Sequence, residues 1–190
     1  MDKQYVEDKV FKEIDFTSER ITKSEFDNCS FNRCNFTNTD LSEMVFSDCR
    51  FENCDLSLAK LKNSEFKETE FKNCKMLGLR FDQCNNFLLS FNFEDCILNY
   101  SSFFKLKLKN TKFINCKMEG VEFGLSDLTS STFQNCDLSR AIFENTVLTG
   151  ADLRTSYNFS IDPELNRINN AKFTLRDVGG LLDKYNIIIE

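Results

Sequence analysis

Large apolar residues recur along the chain at every fifth position. The series runs Phe11, Phe16, Ile21, Phe26, Phe31, Phe36, Leu41, Phe46, Phe51, Leu56, Leu61, Phe66, Phe71, Met76, Phe81. It resumes two residues out of frame as Phe93, Leu98, Phe103, Leu108, Phe113, Met118, Phe123, Leu128, Phe133, Leu138, Phe143, Leu148, Leu153. All 28 slots are apolar and 16 are Phe, in a chain that is only 41% apolar, so chance does not produce the series. The slot two residues earlier is restricted too. It holds mostly Cys, Ala, Ser or Thr, and all nine Cys occupy it: Cys29, Cys34, Cys49, Cys54, Cys74, Cys84, Cys96, Cys116 and Cys136. The remaining three positions are mostly polar.

A period of five fits neither a helix, at about 3.6, nor a flat strand, at about 2. It fits a chain that turns a corner after each unit and closes a square in four units. Each side then carries one large and one small inward group. Coils stack at about 4.8 Å, the spacing of paired strands, and like side chains form columns, as in a one-dimensional stack. One column reads Phe31, Phe51, Phe71, Phe93, Phe113, Phe133, Leu153; another reads Phe36, Leu56, Met76, Leu98, Met118, Leu138. The frame shift places a two-residue insertion within 85–92, around Asn86, Phe87, Leu88 and Leu89. Ile168, Phe173 and Val178 keep the second frame past Leu153. The pattern predicts an all-β, four-sided parallel β-helix of about eight coils, roughly 35–40 Å long.

Open solenoid ends need caps. Lys3 to Lys12 is charged around Tyr5, Val6, Val10 and Phe11, and reads as the first coil or its cap. Residues 1–10 are therefore assigned to an N-terminal cap and 11–175 to the β-helix. Asp162-Pro163-Glu164 predicts a turn that ends the ladder. Asp177 predicts the N-cap of a short helix through about Tyr185, ended by Asn186, with Ile187, Ile188 and Ile189 as a strand. Three Ile on an edge strand are a liability for a monomer. Either they fold back on the last coil, or residues 176–190 build a dimer through Leu181, Leu182, Tyr185, Ile187, Ile188 and Ile189.

Composition narrows the chemistry. The 190 residues contain no His, which removes most hydrolase triads and most zinc sites. Cys29 with Cys34, and Cys49 with Cys54, resemble metal-ligand pairs at first sight. Six Cys nevertheless fall in one column, where thiols fill the small slot as Ala59, Ser64 and Ala141 do; their parallel Cβ atoms do not suit disulfides. Glu68 with Glu70, and Asp152 with Asp162, have no spacing specific to acid–base catalysis, and no phosphate-loop or nucleophile-elbow motif occurs. No catalytic, cofactor-binding or metal-binding residue is expected, and the chain reads as a non-enzyme. Its short apolar runs predict no membrane span. Met1 to Val10 carries five charges and no apolar stretch, which predicts no secretory signal, a cytoplasmic location and reduced thiols.

Charge is unevenly spread. The net charge is −6 over residues 1–70, +5 over 71–117 and −5 over 118–190, giving −6 in all. The basic belt holds Lys72, Lys75, Arg80, Lys105, Lys107, Lys109, Lys112 and Lys117. The belt and the insertion are the candidate contact surfaces, through Phe87, Leu88, Lys107, Lys112 and Lys117. The alternatives are charge variation without function, and inward packing of two of the four large groups at Phe87, Leu88, Leu89 and Phe91.

Ala151-Asp152-Leu153-Arg154-Thr155 resembles the repeating unit of pentapeptide repeat proteins, and Cys-Asp-Leu-Ser at 54–57 and 136–139 is the same unit with Cys in the small slot. The resemblance covers residues 9–155 and implies a right-handed quadrilateral β-helix. Ser160 to Asn166, Ala171-Lys172-Phe173 and Gly180 to Tyr185 resemble the end of chromosomal bacterial members near the Qnr group. Some of that group bind DNA gyrase and topoisomerase IV and protect them from quinolones, as rod-like dimers joined at their C-termini that imitate duplex DNA. The resemblance thus implies a homodimer, a type II topoisomerase partner, no direct nucleic acid binding and no membrane association. Qnr proteins carry longer loops than the two-residue insertion here, which separates topoisomerase binding from quinolone protection. The alternative is a scaffold or structural protein of the same fold with an unrelated partner.

Overall fold

The computed structural model describes residues 4–18 and 21–188. The chain winds as a four-sided parallel solenoid with one five-residue unit per side. On side A, β1 (Gln4–Glu7), β3 (Ser24–Asp27), β5 (Val45–Ser47) and β7 (Glu65–Lys67) stack in that order. On side B, β2 (Val10–Lys12), β4 (Ser30–Asn32), β6 (Arg50–Glu52), β8 (Thr69–Lys72), β9 (Phe91–Glu94), β10 (Lys112–Ile114) and β11 (Thr132–Gln134) form a seven-stranded parallel sheet. Sides C and D are held by single bridges, such as Asn35 to Asp55 to Lys75 and Ser102 to Glu122 to Ile142. Full sheet on side B therefore covers six turns, fewer than the eight or so expected. The last two steps, Thr132 to Asp152 and Asp152 to Lys172, are single bridges rather than strands. The segment assigned to an N-terminal cap contains β1, which pairs with β3 in register.

The core is a lattice of rings. In the side-B column Phe93, Phe113 and Phe133 stack at 5.3 and 4.9 Å with planes within 11°. Across the coil the same ring meets its neighbours edge-on, Phe113 to Phe103 at 5.8 Å and 80°, and to Phe123 at 6.0 Å and 79°. Both are favoured aromatic arrangements.

The small slot has a second job that spacing alone does not reveal. In most coils a hydroxyl or thiol in this slot donates to the main-chain carbonyl of the large-slot residue in the coil below, Ser126 being an exception with no partner among the described residues. Cys54 donates to Phe31 at 3.3 Å, Ser64 to Leu41 at 2.9 Å, Thr146 to Phe123 at 2.9 Å and Ser156 to Phe133 at 2.8 Å. These carbonyls are buried, and a buried acceptor needs a donor. That is why Cys, Ser and Thr, and not only Ala, occupy the slot.

The corner falls two residues after each large slot, and there the backbone is left-handed. Asn28, Asn53, Asn73, Asn115 and Asn135 have φ between 48° and 56°. Asn tolerates this region because its short side chain bonds locally; bulkier residues are strained. Arg140 holds such a corner at φ 56°, and its ion pair with Glu119 at 3.2 Å is exposed, hence weak. Arg140→Asn is therefore expected to stabilise the rod by about 0.5–1 kcal/mol, read as a raised urea midpoint; an unchanged or lower midpoint contradicts the corner strain.

The insertion lies on side A of the coil that carries Phe93. Asn85 keeps the lattice, its N–H donating to the Ser64 carbonyl at 2.8 Å. Asn86 then occupies the large slot but is exposed. Leu88 makes the corner at φ 55°, and Leu89 and Ser90 are the extra residues before side B resumes at Phe91, paired with Thr69. The void is filled from within. Phe91, in a small slot, packs at 5.2 Å from Phe81 and 5.1 Å from Phe93, and Leu89 leans on the core.

The C-terminal helix is two 3₁₀ turns, Val178–Leu181 and Asp183–Tyr185. The Asp177 side chain does not cap the first; it accepts from the Thr174 hydroxyl at 2.9 Å. Asn186 ends the second with φ 50°. Ile187 and Ile188 follow outside any strand, so the expected strand is absent over the described residues; Ile189 lies outside them. Gly180 anchors the segment: its carbonyl accepts from Ile161 N–H at 2.9 Å, and a Cβ there would lie 2.1 Å from the Phe159 carbonyl oxygen.

Candidate partner-binding surface

The insertion divides its apolar residues two in and two out. Phe91 and Leu89 face the core, whereas Phe87 and Leu88 are 67% and 64% exposed. Above them the ladder on side A is broken: no backbone bridge joins Asn85 to Lys107, although bridging resumes from Lys107 to Asp127.

The basic belt runs around all four sides. Lys72 pairs with Glu94 at 2.9 Å, Lys75 with Asp55 at 3.3 Å, Arg80 with Asp82 at 2.7 Å and Lys109 with Asp127 at 3.3 Å. Among the described residues Lys105, Lys107, Lys112 and Lys117 have no ion pair; Lys105 lies over the Phe104 ring at 4.9 Å. The structure brings together only part of the expected contact set. Lys107 is on side A, one coil above Phe87 and Leu88, and Lys112 is on side B, around the corner from them. Lys117 is on side C, bridged to Asp137, and belongs to a different surface.

Acidic residues gather elsewhere. Glu7, Asp8, Asp27, Asp48 and Glu68 line the corner between sides A and B over four successive coils. None has an ion pair among the described residues. Asp27 accepts from the Tyr5 hydroxyl at 2.9 Å, and this bond pushes the phenol up to about 12. Many other carboxylates are structural: Asp15, bonded by the Thr17 hydroxyl and N–H, is held below its usual range. Asp152 is held down chiefly by Arg154, and Asp162 chiefly by Lys184.

The residues expected to dimerise divide as well. Leu181 leans on the rod's own core and Leu182 is half-buried. The Tyr185 hydroxyl donates to Glu164 at 3.0 Å, beside Lys184, which lies 2.7 Å from both Asp162 and Glu164. Ile187 and Ile188 remain 56% and 89% exposed, with Leu175 at 95% beyond the last coil. Two shallow depressions of about 210 and 330 Å³ lie at this end, beside Lys184 and between Arg154 and Arg176. Among the described residues no three His, Cys, Asp or Glu side chains converge as a metal-binding group, and no helix is long and apolar enough to cross a membrane.

Stacked five-residue units with laddered sides, αL corners and columns of like side chains define a parallel β-solenoid. The chain belongs to the pentapeptide repeat family: the pentapeptide repeat region model matches residues 24–103 and 44–123, and the pentapeptide repeats (8 copies) model matches 107–145 and 126–156. Among solved structures, a trypsin-treated variant of QnrB1, a plasmid-mediated fluoroquinolone resistance protein, aligns with a TM-score of 0.78 at 18% identity. That alignment covers 100% of this chain and 95% of the other. Full-length QnrB1 gives a TM-score of 0.64 at 19% identity, over 96% and 100% of the two chains. At this identity the likeness concerns the fold. No curated protein sequence matches the chain.

Proposed function

We propose that this rod binds a type II topoisomerase in the cytoplasm, as a homodimer joined through its C-terminal ends, and catalyses no reaction of its own. The observation that carries the reading is the row of carboxylates at Glu7, Asp8, Asp27, Asp48 and Glu68, none with an ion pair among the described residues, although Asp8 accepts from the Asn28 amide at 2.7 Å and Asp27 from the Tyr5 hydroxyl. Stacking repeats it at about 4.8 Å per coil, which gives a rigid acidic edge of the kind a DNA-binding cleft attracts. The end-to-end likeness to QnrB1, described as a fluoroquinolone resistance protein, supports the same direction. Exposed Ile187 and Ile188 beyond the docked 3₁₀ turns support the dimer. The central basic belt favours a second reading, a scaffold for an acidic protein.

Gyrase supercoiling and cleavage assays with the purified protein, with and without a quinolone, test the proposal. Inhibition of supercoiling at micromolar protein is expected, weakened about tenfold in Asp27→Lys/Asp48→Lys. Light scattering should give a dimer for the full chain and a monomer for a chain ending at Arg176. No effect on gyrase favours the scaffold; a monomeric full chain removes the dimer.

A further inference from the structure

We propose that side A at the insertion docks an acidic protein segment bearing apolar side chains. The surface is bounded by Phe87 and Leu88 at one corner and by Phe104, Lys105 and Leu125 at the other, with Lys107 between them. Its apolar groups are not needed by the fold. Leu89 and Phe91 already fill the widened coil, so Phe87 and Leu88 could be polar without opening a cavity. Leu88 also sits in left-handed backbone at φ 55°, as Leu58 and Leu125 do at φ 58°, a conformation in which Asn is the commonest residue here and Leu is strained. A strained, solvent-facing Leu beside an exposed Phe indicates a surface kept for contact.

Charge selects the occupant. Lys105 and Lys107 have no ion pair among the described residues, whereas four of their neighbours in the belt do. The belt is +5 between two regions of −6 and −5. An extended polyanion such as a duplex or an anionic bilayer would meet those acidic ends as well as the lysines, and be repelled. A short acidic segment meets the lysines, since Asp127, the carboxylate bridged to Lys107 on this side, is paired with Lys109 at 3.3 Å, and its apolar side chains cover Phe87, Leu88, Phe104 and Leu125. The proposal does not rest on the topoisomerase reading, which concerns the acidic corner.

The test uses the full chain and a fluorescein-labelled synthetic peptide that alternates glutamate with leucine and phenylalanine. Controls are the same peptide with glutamine for glutamate, phosphatidylserine vesicles and a DNA duplex. The acidic apolar peptide alone should bind, with affinity falling as salt rises. Phe87→Ser/Leu88→Ser and Lys105→Glu/Lys107→Glu should each weaken it by about tenfold or more, with thermal melting unchanged. Equal binding of the glutamine peptide, preferred binding of vesicles or duplex, no binding of the acidic peptide, or unchanged affinity in both variants would overturn the proposal.

Discussion

Phe113→Ala is expected to cost about 4 kcal/mol, the range for emptying a fully buried aromatic site. The ring is inaccessible to solvent, stacked between Phe93 and Phe133, and flanked edge-on by Phe103 and Phe123. Its loss removes packing from all four neighbours at once. The lattice collapses little to fill the hole, because backbone ladders fix the spacing on three sides toward the coil of Phe93 and on all four toward the coil of Phe133. Phe11, in the same column, is only partly buried; it meets Phe16 and Phe26 edge-on but stacks on one face only, against Phe31 at 4.8 Å. Phe11→Ala should therefore cost about half as much or less. Urea unfolding followed by far-ultraviolet circular dichroism checks both. A mid-column cost below about 2 kcal/mol, or equal costs at the two positions, would show that stability does not reside in the ring column.

The contrast shows which parts of the structure were legible. The period of five, the pairing of large with small slots and the column through Phe31 and Phe113 follow from side-chain spacing, because one unit per side repeats everywhere outside the insertion. The insertion was legible as a change of phase. Its outcome was not: spacing puts Asn86 in the large slot, yet the polar side chain leaves and Phe91 fills the space from a small slot five residues further along the chain. A choice among competing core fillers depends on volume in three dimensions. The left-handed corner had a signal in the Asn at 28, 53, 73, 115 and 135, but polarity alone read those positions as surface. Spacing alone makes the small slot a filler, because the carbonyl that needs its donor lies one coil below. Closeness in sequence groups Lys117 with Lys107, whereas ten residues along this chain turn two corners. At the tail, the pattern of Leu181, Leu182 and Tyr185 suggested one α-helical face. The close approach of Gly180 to Phe159 and Ile161 instead holds the segment in two short 3₁₀ turns.

The nine thiols are expected to be silent toward a disulfide reagent in the native rod and to react together when it unfolds. All nine are buried and free, and only the thiolate attacks. Burial pushes Cys49 up to about 12 from 9.0. Burial, helped by the nearby Asp82 carboxylate, raises Cys84 too. Cys116 is raised first by its bond with Cys136 and then by burial. At pH 8 the shift at Cys49 alone lowers the thiolate population about 1000-fold, before steric protection is counted. Prompt reaction of even a few thiols without unfolding would contradict the inward ladder. The same shift makes stability depend on pH with a definite sign. Between 9.0 and about 12 the unfolded chain has released the Cys49 proton while the native chain retains it. Folding then binds protons, so stability is full below about pH 9 and falls as pH rises through that window, by up to about 1.4 kcal/mol per pH unit for each such thiol. Cys49→Ser keeps a donor for the Phe26 carbonyl, now accepting from the Cys49 thiol at 3.6 Å, and removes the titration. It should therefore flatten the alkaline slope while leaving neutral-pH stability within about 1–2 kcal/mol of the parent. An alkaline slope identical in the two proteins would mean that the Cys49 thiol ionises as readily inside the rod as outside it.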